Sequence, residues 1–306
     1  MSDTSVTRRS MLAGAATLPL AGAATRARAG APMMGPSMPP YTRVTLGGFE
    51  VTTLLAATMT RPDPHSIFGL NVSADEFAAV SEAANIPTDA AQFFFTPTVV
   101  NTGSELVLFD TGLNPDGITK ALNAAGYVPD QVDTVVITHM HGDHIGGLTG
   151  DGGPTFPNAR HVTGAVEFDA WAAMGNDTFE AKMRPLAERT TMIDPGSDVA
   201  PGITAVAAFG HTPGHMAYRL ESDGKQMLLA ADFANHYVWS LGHPDWDVKF
   251  DMDKTAAAET RRRLLDMLAA EKMPFVGYHM PWPAMGYAET QGDGYRYVPT
   301  SYQLML

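Results

Sequence analysis

The sequence predicts a mixed α/β domain, layered as a sandwich with helices outside. Three observations carry this. Strand-like segments recur in two halves of the chain, with helix-like segments after each. The apolar run "VDTVVITH" (Val132 to His139) reads as a buried strand. The 29 glycines and 22 prolines supply the loops that a many-stranded fold needs.

Taken in order, residues 1–29 read as an export signal. Twin arginines, Arg8 and Arg9, precede the apolar run "MLAGAATLPLAGAA", which is shorter than the ~20 residues of a membrane span. "ARA" (Ala27 to Ala29) gives a small-x-small cleavage pattern. The twin arginines point to the Tat machinery as a partner and to a periplasmic or secreted product without a membrane anchor. Residues 30–306 are then one domain, with no interior linker and no short repeat. Its first residues, 30–40, form a Pro- and Gly-rich leader.

A hairpin is expected over "YTRVTL", Gly47-Gly48 and "FEVTTLL". Residues 61–92 read as irregular, with a short helix near "ADEFAAVSEAA". "TPTVV" and "LVLFD" flank the turn Asn101 to Ser104 as a second hairpin. "GITKALNAAG" reads as a helix ending at Gly126. "AVEFDAWAAM" and "FEAKMRPLAER" are expected helices; "GITAVAAF", "MAYRLES" and "KQMLLAAD" are expected strands. "DKTAAAETRRRLLDMLAAEK" is the strongest helix, with Asp253 as its N-cap. "MPFVGYH" reads as a further strand.

The chain has no cysteine, which excludes disulfides, thiolate ligands and a cysteine nucleophile. Residues 1–29 carry four arginines and one acid, so the net charge moves from −13 to −16 without them. Such an acidic surface repels phosphate backbones and argues against a nucleic-acid substrate. A small molecule is the expected partner; a homodimer is left open.

"THMHGDHIGG" (Thr138 to Gly147) sets His139, His141, Asp143 and His144 within six residues at the end of the buried strand. Histidine and carboxylate are the common ligands of borderline divalent ions. In extended chain, His139 and His141 point the same way and can grip one ion. Asp143 and His144 follow a glycine, where the chain can turn toward a second ion. Gly146 and Gly147 let backbone pack closely beneath the site.

This run resembles the H-x-H-x-D-H motif of the metallo-β-lactamase superfamily. "LVLFDTG" (Leu106 to Gly112), "GHTPGH" (Gly210 to His215), "LLAADF" (Leu228 to Phe233) and "VGYHMPWP" (Val276 to Pro283) resemble the later motifs, in order. The resemblance covers most of residues 42–300 and implies a four-layer αββα sandwich. It also implies two divalent ions, zinc by default, although manganese, iron or cobalt suit the same N/O donors. His139, His141 and His211 would hold one ion; Asp143, His144 and His279 the other; Asp232 would bridge them. Asp110 and His215 would support the ligands, and Asp143 or Asp232 would shuttle a proton to the leaving group. His65, His161, His236 and His243 match no ligand motif.

Asp232 and the missing cysteines argue against the β-lactamase branch. A C-terminal stretch with one arginine and no lysine argues against a glyoxalase II-like glutathione site. The opening hairpin, "VNTGSELVLFDTG", "AAGYVPDQVDTVVITHMHGDHIGGL" and "GYRYVPTSY" are most similar to the methyl parathion hydrolase group. This implies hydrolysis of uncharged apolar phosphotriesters, esters or lactones. An acyl-homoserine lactonase is the alternative, weakened by Asn235 where such lactonases carry tyrosine. A mononuclear iron oxidoreductase is the second alternative. An apolar pocket is expected from Phe93, Phe94, Phe95, Trp171, Trp239, Trp246 and above all Trp282.

Overall fold

The computed structural model describes residues 33–302. The expected export segment, residues 1–29, lies outside the described residues. The folded body begins at Pro39. Strands β1 (Tyr41–Leu46) and β2 (Phe49–Leu54) form the first hairpin. At its turn, Gly47 has φ 60°, and a Cβ there would lie 2.2 Å from the Ser222 carbonyl oxygen, so glycine is required.

The stretch expected to be irregular, residues 61–92, holds the expected short helix and is flanked by a ribbon. Strand β3 (Ala57–Pro62) pairs antiparallel with β4 (Ala90–Phe95), and helix α1 (Ala74–Ala83), capped by Ser73, lies between them in sequence. Strands β5 (Thr98–Asn101) and β6 (Leu106–Phe109) form the second hairpin. Helix α2 (Pro115–Ala124) buries Ile118, Ala121 and Leu122 at helical spacing. Strand β7 (Thr134–Ile137) ends just before the histidine motif, whose Gly142–Ile145 forms the single-turn helix α3. A small hairpin, β8 (Thr149–Gly150) and β9 (Gly153–Pro154), leads to β10 (Arg160–Gly164) and α4 (Ala165–Met174). The next expected helix splits into α5 (Asp177–Lys182) and a 3₁₀ segment, Arg184–Arg189. Pro185 lacks the N–H that a continuous α-helix needs, and its ring crowds the preceding turn.

Strands β11 (Thr190–Ile193), β12 (Asp198–Ala200), β13 (Ile203–Ala207), β14 (Met216–Ser222) and β15 (Lys225–Ala231) follow. Helix α6 (Lys254–Glu271) starts where expected, with Asp253 Oδ1 accepting the Ala256 N–H at 3.0 Å. Strands β16 (Phe275–Gly277), β17 (Met285–Gln291) and β18 (Gly294–Pro299) close the chain; the last two form a hairpin the sequence reading lacked.

Two seven-stranded sheets result, ordered β1-β2-β5-β6-β7-β10-β11 and β12-β13-β14-β15-β16-β17-β18. Period-2 alternation divides their side chains between layers. Val136 of β7 and Tyr218 and Leu229 of the second sheet meet in the core between the sheets. Val135 and Ile137 face outward onto Ile118 and Leu122 of α2. Leu228 and Ala230 face outward onto Leu264, Leu265 and Leu268 of α6. Each of those leucines contributes about 1.5–3 kcal/mol by burial. The layering is the expected αββα sandwich. Among the described residues, no helix is long and apolar enough to cross a membrane.

Candidate metal centre

The ligand motifs all lie at one end of the sandwich. His139, His141, Asp143 and His144 follow β7 of the first sheet. His211 lies between β13 and β14, Asp232 follows β15 and His279 follows β16, all in the second sheet. Three overlapping groups of donor atoms each lie within 4.8 Å of one another: His139, His141 and His211; His139, His144 and Asp232; Asp143, His144 and His279. The seven sequence-predicted ligands therefore converge.

Hydrogen bonds behind the ring nitrogens explain why they point inward. His144 Nδ1–H donates to Asp110 Oδ2 at 2.8 Å. His211 Nδ1–H donates to Asp251 Oδ1 at 2.8 Å. His279 Nδ1–H donates to the Phe94 carbonyl at 2.7 Å. His139 Nδ1 lies 3.1 Å from Thr138 Oγ1, whose own hydroxyl donates to Asp110 at 2.9 Å. In its neutral form each of these four rings presents a bare Nε2. Yet His139 Nε2 and His141 Nδ1 lie 3.1 Å apart, and His141 Nδ1 and His211 Nε2 lie 3.0 Å apart. Three ring nitrogens this close together are placed to share one cation. His144 Nε2 and Asp232 Oδ1 are buried with no partner in the protein, a second cost that an ion removes.

The second half of the site is held by carboxylates. Asp232 Oδ1 lies 3.4 Å from His144 Nε2, and its Oδ2 lies 3.6 Å from His211 Nε2 and 3.2 Å from His279 Nε2. Asp143 Oδ2 lies 3.3 Å from His279 Nε2 and 3.7 Å from His144 Nε2. Asp232 thus faces ligands of both sets, its Oδ2 lying between His211 of one and His279 of the other. The donor set, nitrogen and oxygen only, fits two divalent ions.

The electrostatics agree. Burial lowers the His139 imidazole well below its usual value and takes His141 to about 3. Burial would raise Asp143 and Asp232, but His144 and His279 overcome it, leaving Asp143 at about 2 and Asp232 well below the carboxylate range. Burial would lower His144 and His279; Asp110, Asp232 and Asp143 instead raise His144 strongly, and Asp232 with Asp143 takes His279 to about 10. Without ions, this centre draws in protons to neutralise its carboxylates.

Support residues extend beyond those expected. Asp110 accepts from the Thr138 backbone and hydroxyl as well as from His144, so it fixes the ligand loop. His215 donates through Nδ1 to the Ala208 carbonyl and accepts the Asp232 N–H on Nε2, so it orients the bridging residue's backbone. Sequence reasoning missed Asp251, itself held by Arg261 at 2.7 Å in full burial. It missed Glu167, whose carboxylate accepts from Met140 N, Thr212 Oγ1 and Gly214 N and so ties the first ligand loop to the second. It also missed Tyr278, whose ring lies 3.9 Å from that of His144 and whose hydroxyl donates to the Asp143 carbonyl. The signal for Glu167 was an acid set between Val166 and Phe168 in the first turn of a mainly apolar helix.

A cavity of about 410 Å³ opens beside His279, walled by Phe94, His236, Tyr237, Trp239 and Pro281. Phe94 and Trp239 thus line it as expected. Phe93 and Phe95 do not: on a strand they face opposite to Phe94, into an aromatic cluster, and set their edges 5.5 and 5.4 Å from the His279 ring. Trp171 abuts His141 edge-on at 5.6 Å. Trp246 belongs to the buried aromatic cluster. Trp282 is half-buried and is not part of the cavity wall, because the turn Gly277–Ala284 presents Pro281 there instead. A larger cavity, about 720 Å³, touches none of the predicted ligands.

Comparisons with known proteins agree with this geometry. The chain is 24% identical over 158 residues to the N-acyl homoserine lactonase AiiA of Bacillus thuringiensis subsp. kurstaki, covering 51% of this chain and 59% of the relative. It therefore spans less than two thirds of the lactonase's length. Two solved structures superpose with a TM-score of 0.78. One is AidC, a dizinc quorum-quenching lactonase (22% identity; 85% of this chain, 97% of that one). The other is AbOPH, a hydrolase of the beta lactamase superfamily (24%; 87% and 99%). These likenesses establish the fold. The family model of the metallo-beta-lactamase superfamily matches residues 96–279, from the second hairpin to the last histidine of the centre, and the chain belongs to that superfamily.

Proposed function

We propose that the protein is a dinuclear-metal hydrolase, with zinc as the resident ion, acting on uncharged apolar esters, lactones or phosphotriesters. The observation that carries this is the convergence of seven nitrogen and carboxylate donors, with His144 Nε2 and Asp232 Oδ1 buried and unpartnered among them. When bound, a pair of divalent ions acidifies water near neutral pH and polarises the substrate oxygen. The residues do the rest. Asp110, Asp251 and the Phe94 carbonyl hold three of the imidazoles in the ligating tautomer. Asp143, with 24% of its side chain exposed against 4% for Asp232, is the better proton carrier toward the leaving group. Phe94 and Trp239 offer apolar contact to the substrate.

Similarity to AiiA and AidC supports the lactone as a second reading. Two complete ligand sets weigh against a mononuclear iron oxidoreductase. The reading includes export by the Tat route, supported by Arg8 and Arg9 ahead of the apolar run.

The test is kcat/KM of one metal-reconstituted preparation on methyl parathion and on a long-chain acyl-homoserine lactone. Turnover of either well above free metal is expected. Preference for the lactone makes phosphotriester cleavage a side activity; turnover of neither overturns the substrate class.

A further inference from the structure

His236 matches no ligand motif, yet it stands in the wall of the cavity beside His279. Its ring is fixed on three sides. Nδ1 accepts the backbone N–H of Val238 at 3.2 Å and of Trp239 at 3.1 Å. One face stacks on Trp239, with centroids 3.9 Å apart and planes at 16°. Phe68 packs against it at 5.4 Å. A nitrogen that accepts two N–H groups carries no proton, so the proton of the neutral ring is on Nε2. That Nε2–H has no hydrogen-bond partner among the described residues, and it is not among the polar atoms sealed from the surface. Gln92 and Tyr237 also line this mostly apolar wall, but the His236 donor is the one aimed by hydrogen bonds to the opposite ring nitrogen.

We propose that His236 is a specificity-determining residue whose Nε2–H recognises an uncharged oxygen acceptor on the apolar arm of the substrate. The inference rests on the hydrolase reading above and narrows it to esters or lactones that carry such an acceptor beyond the scissile group. Phe94, Trp239 and Pro281 displace water from a bound arm, and beside them an unmatched donor penalises ligands without an acceptor. Burial lowers the imidazole to about 3, so it stays an uncharged donor across the working range. An anionic arm therefore finds no countercharge on this ring.

The alternative is that His236 only caps the turn at Tyr237–Ser240. His236→Asn separates the two roles. Asparagine accepts backbone N–H groups at a cap, but its short side chain withdraws the donor from the cavity. The substrates are a lactone with an amide carbonyl on its apolar arm and its plain alkyl analogue. With the thermal midpoint unchanged, kcat/KM is expected to fall about ten- to hundredfold on the amide lactone and less than about threefold on the alkyl one. In ¹⁵N spectra the wild type should show one more ring with a bare Nδ1 and a protonated Nε2 than the variant does. Equal losses on both lactones, no loss on either, or an Nδ1-protonated ring would overturn the proposal. If the wild type hydrolyses neither lactone, the hydrolase reading fails for this class. Calorimetric binding of the amide lactone then reads the donor: weaker binding by His236→Asn supports it, and unchanged binding overturns it.

Discussion

Asp251 does for His211 what Asp110 does for His144: it takes the Nδ1 proton and leaves Nε2 bare. Asp251→Asn should lower metal affinity about 10–100-fold in a competition titration, by loosening the ring and its tautomer. It should also lower stability by about 3–5 kcal/mol, because buried Arg261 loses its countercharge. The raised His279 gives a second expectation at this scale. A group whose folded value is raised adds stability below its unfolded value and loses it as the pH passes the folded one. Metal-stripped protein should therefore lose stability between about 6.5, the ordinary value, and about 10, followed by chemical denaturation. Metal-loaded protein, where an ion replaces that proton, should show no such decline. The ligands were legible because short spacings and recurring motifs place them. Asp251, Glu167 and His236 were not, because only tertiary contact brings these isolated residues to the site.

At the scale of elements, the histidine loop depends on glycines that touch no ion. A Cβ at Gly147 would lie 2.1 Å from the Thr111 carbonyl oxygen, and one at Gly146 would lie 2.2 Å from that of Leu113. Gly147→Ala should push the loop from the strand end, lowering both the melting temperature and bound metal. Melting curves and metal analysis check this; a normal metal content would show that the loop tolerates the shift. Strand β7 and helix α6 were readable from a local apolar run and a local cap. The β3–β4 ribbon was not, since its strands pair across an intervening helix and Phe93–Phe95 reads as pocket as readily as strand. The β17–β18 hairpin was seen only as a sequence motif, because polar residues fill its exposed outer half.

For the whole molecule, the centre joins the two sheets: four ligands follow β7 of the first, and three come from loops of the second. Ions bound there are staples across the sandwich, so chelation should lower the melting temperature and readdition should restore it. The layered architecture was legible because alternation and helix stripes agree along the chain. The cavity was not, because its walls come from β4, the turn after Asp232 and the turn after His279. The most direct test of the central claim is to titrate metal-stripped protein with zinc while counting bound ions and following ester or lactone hydrolysis. Two ions per chain, with full activity reached only as the second binds, is the predicted result. Saturation at one ion, or two bound ions with no hydrolysis above free zinc, would contradict it.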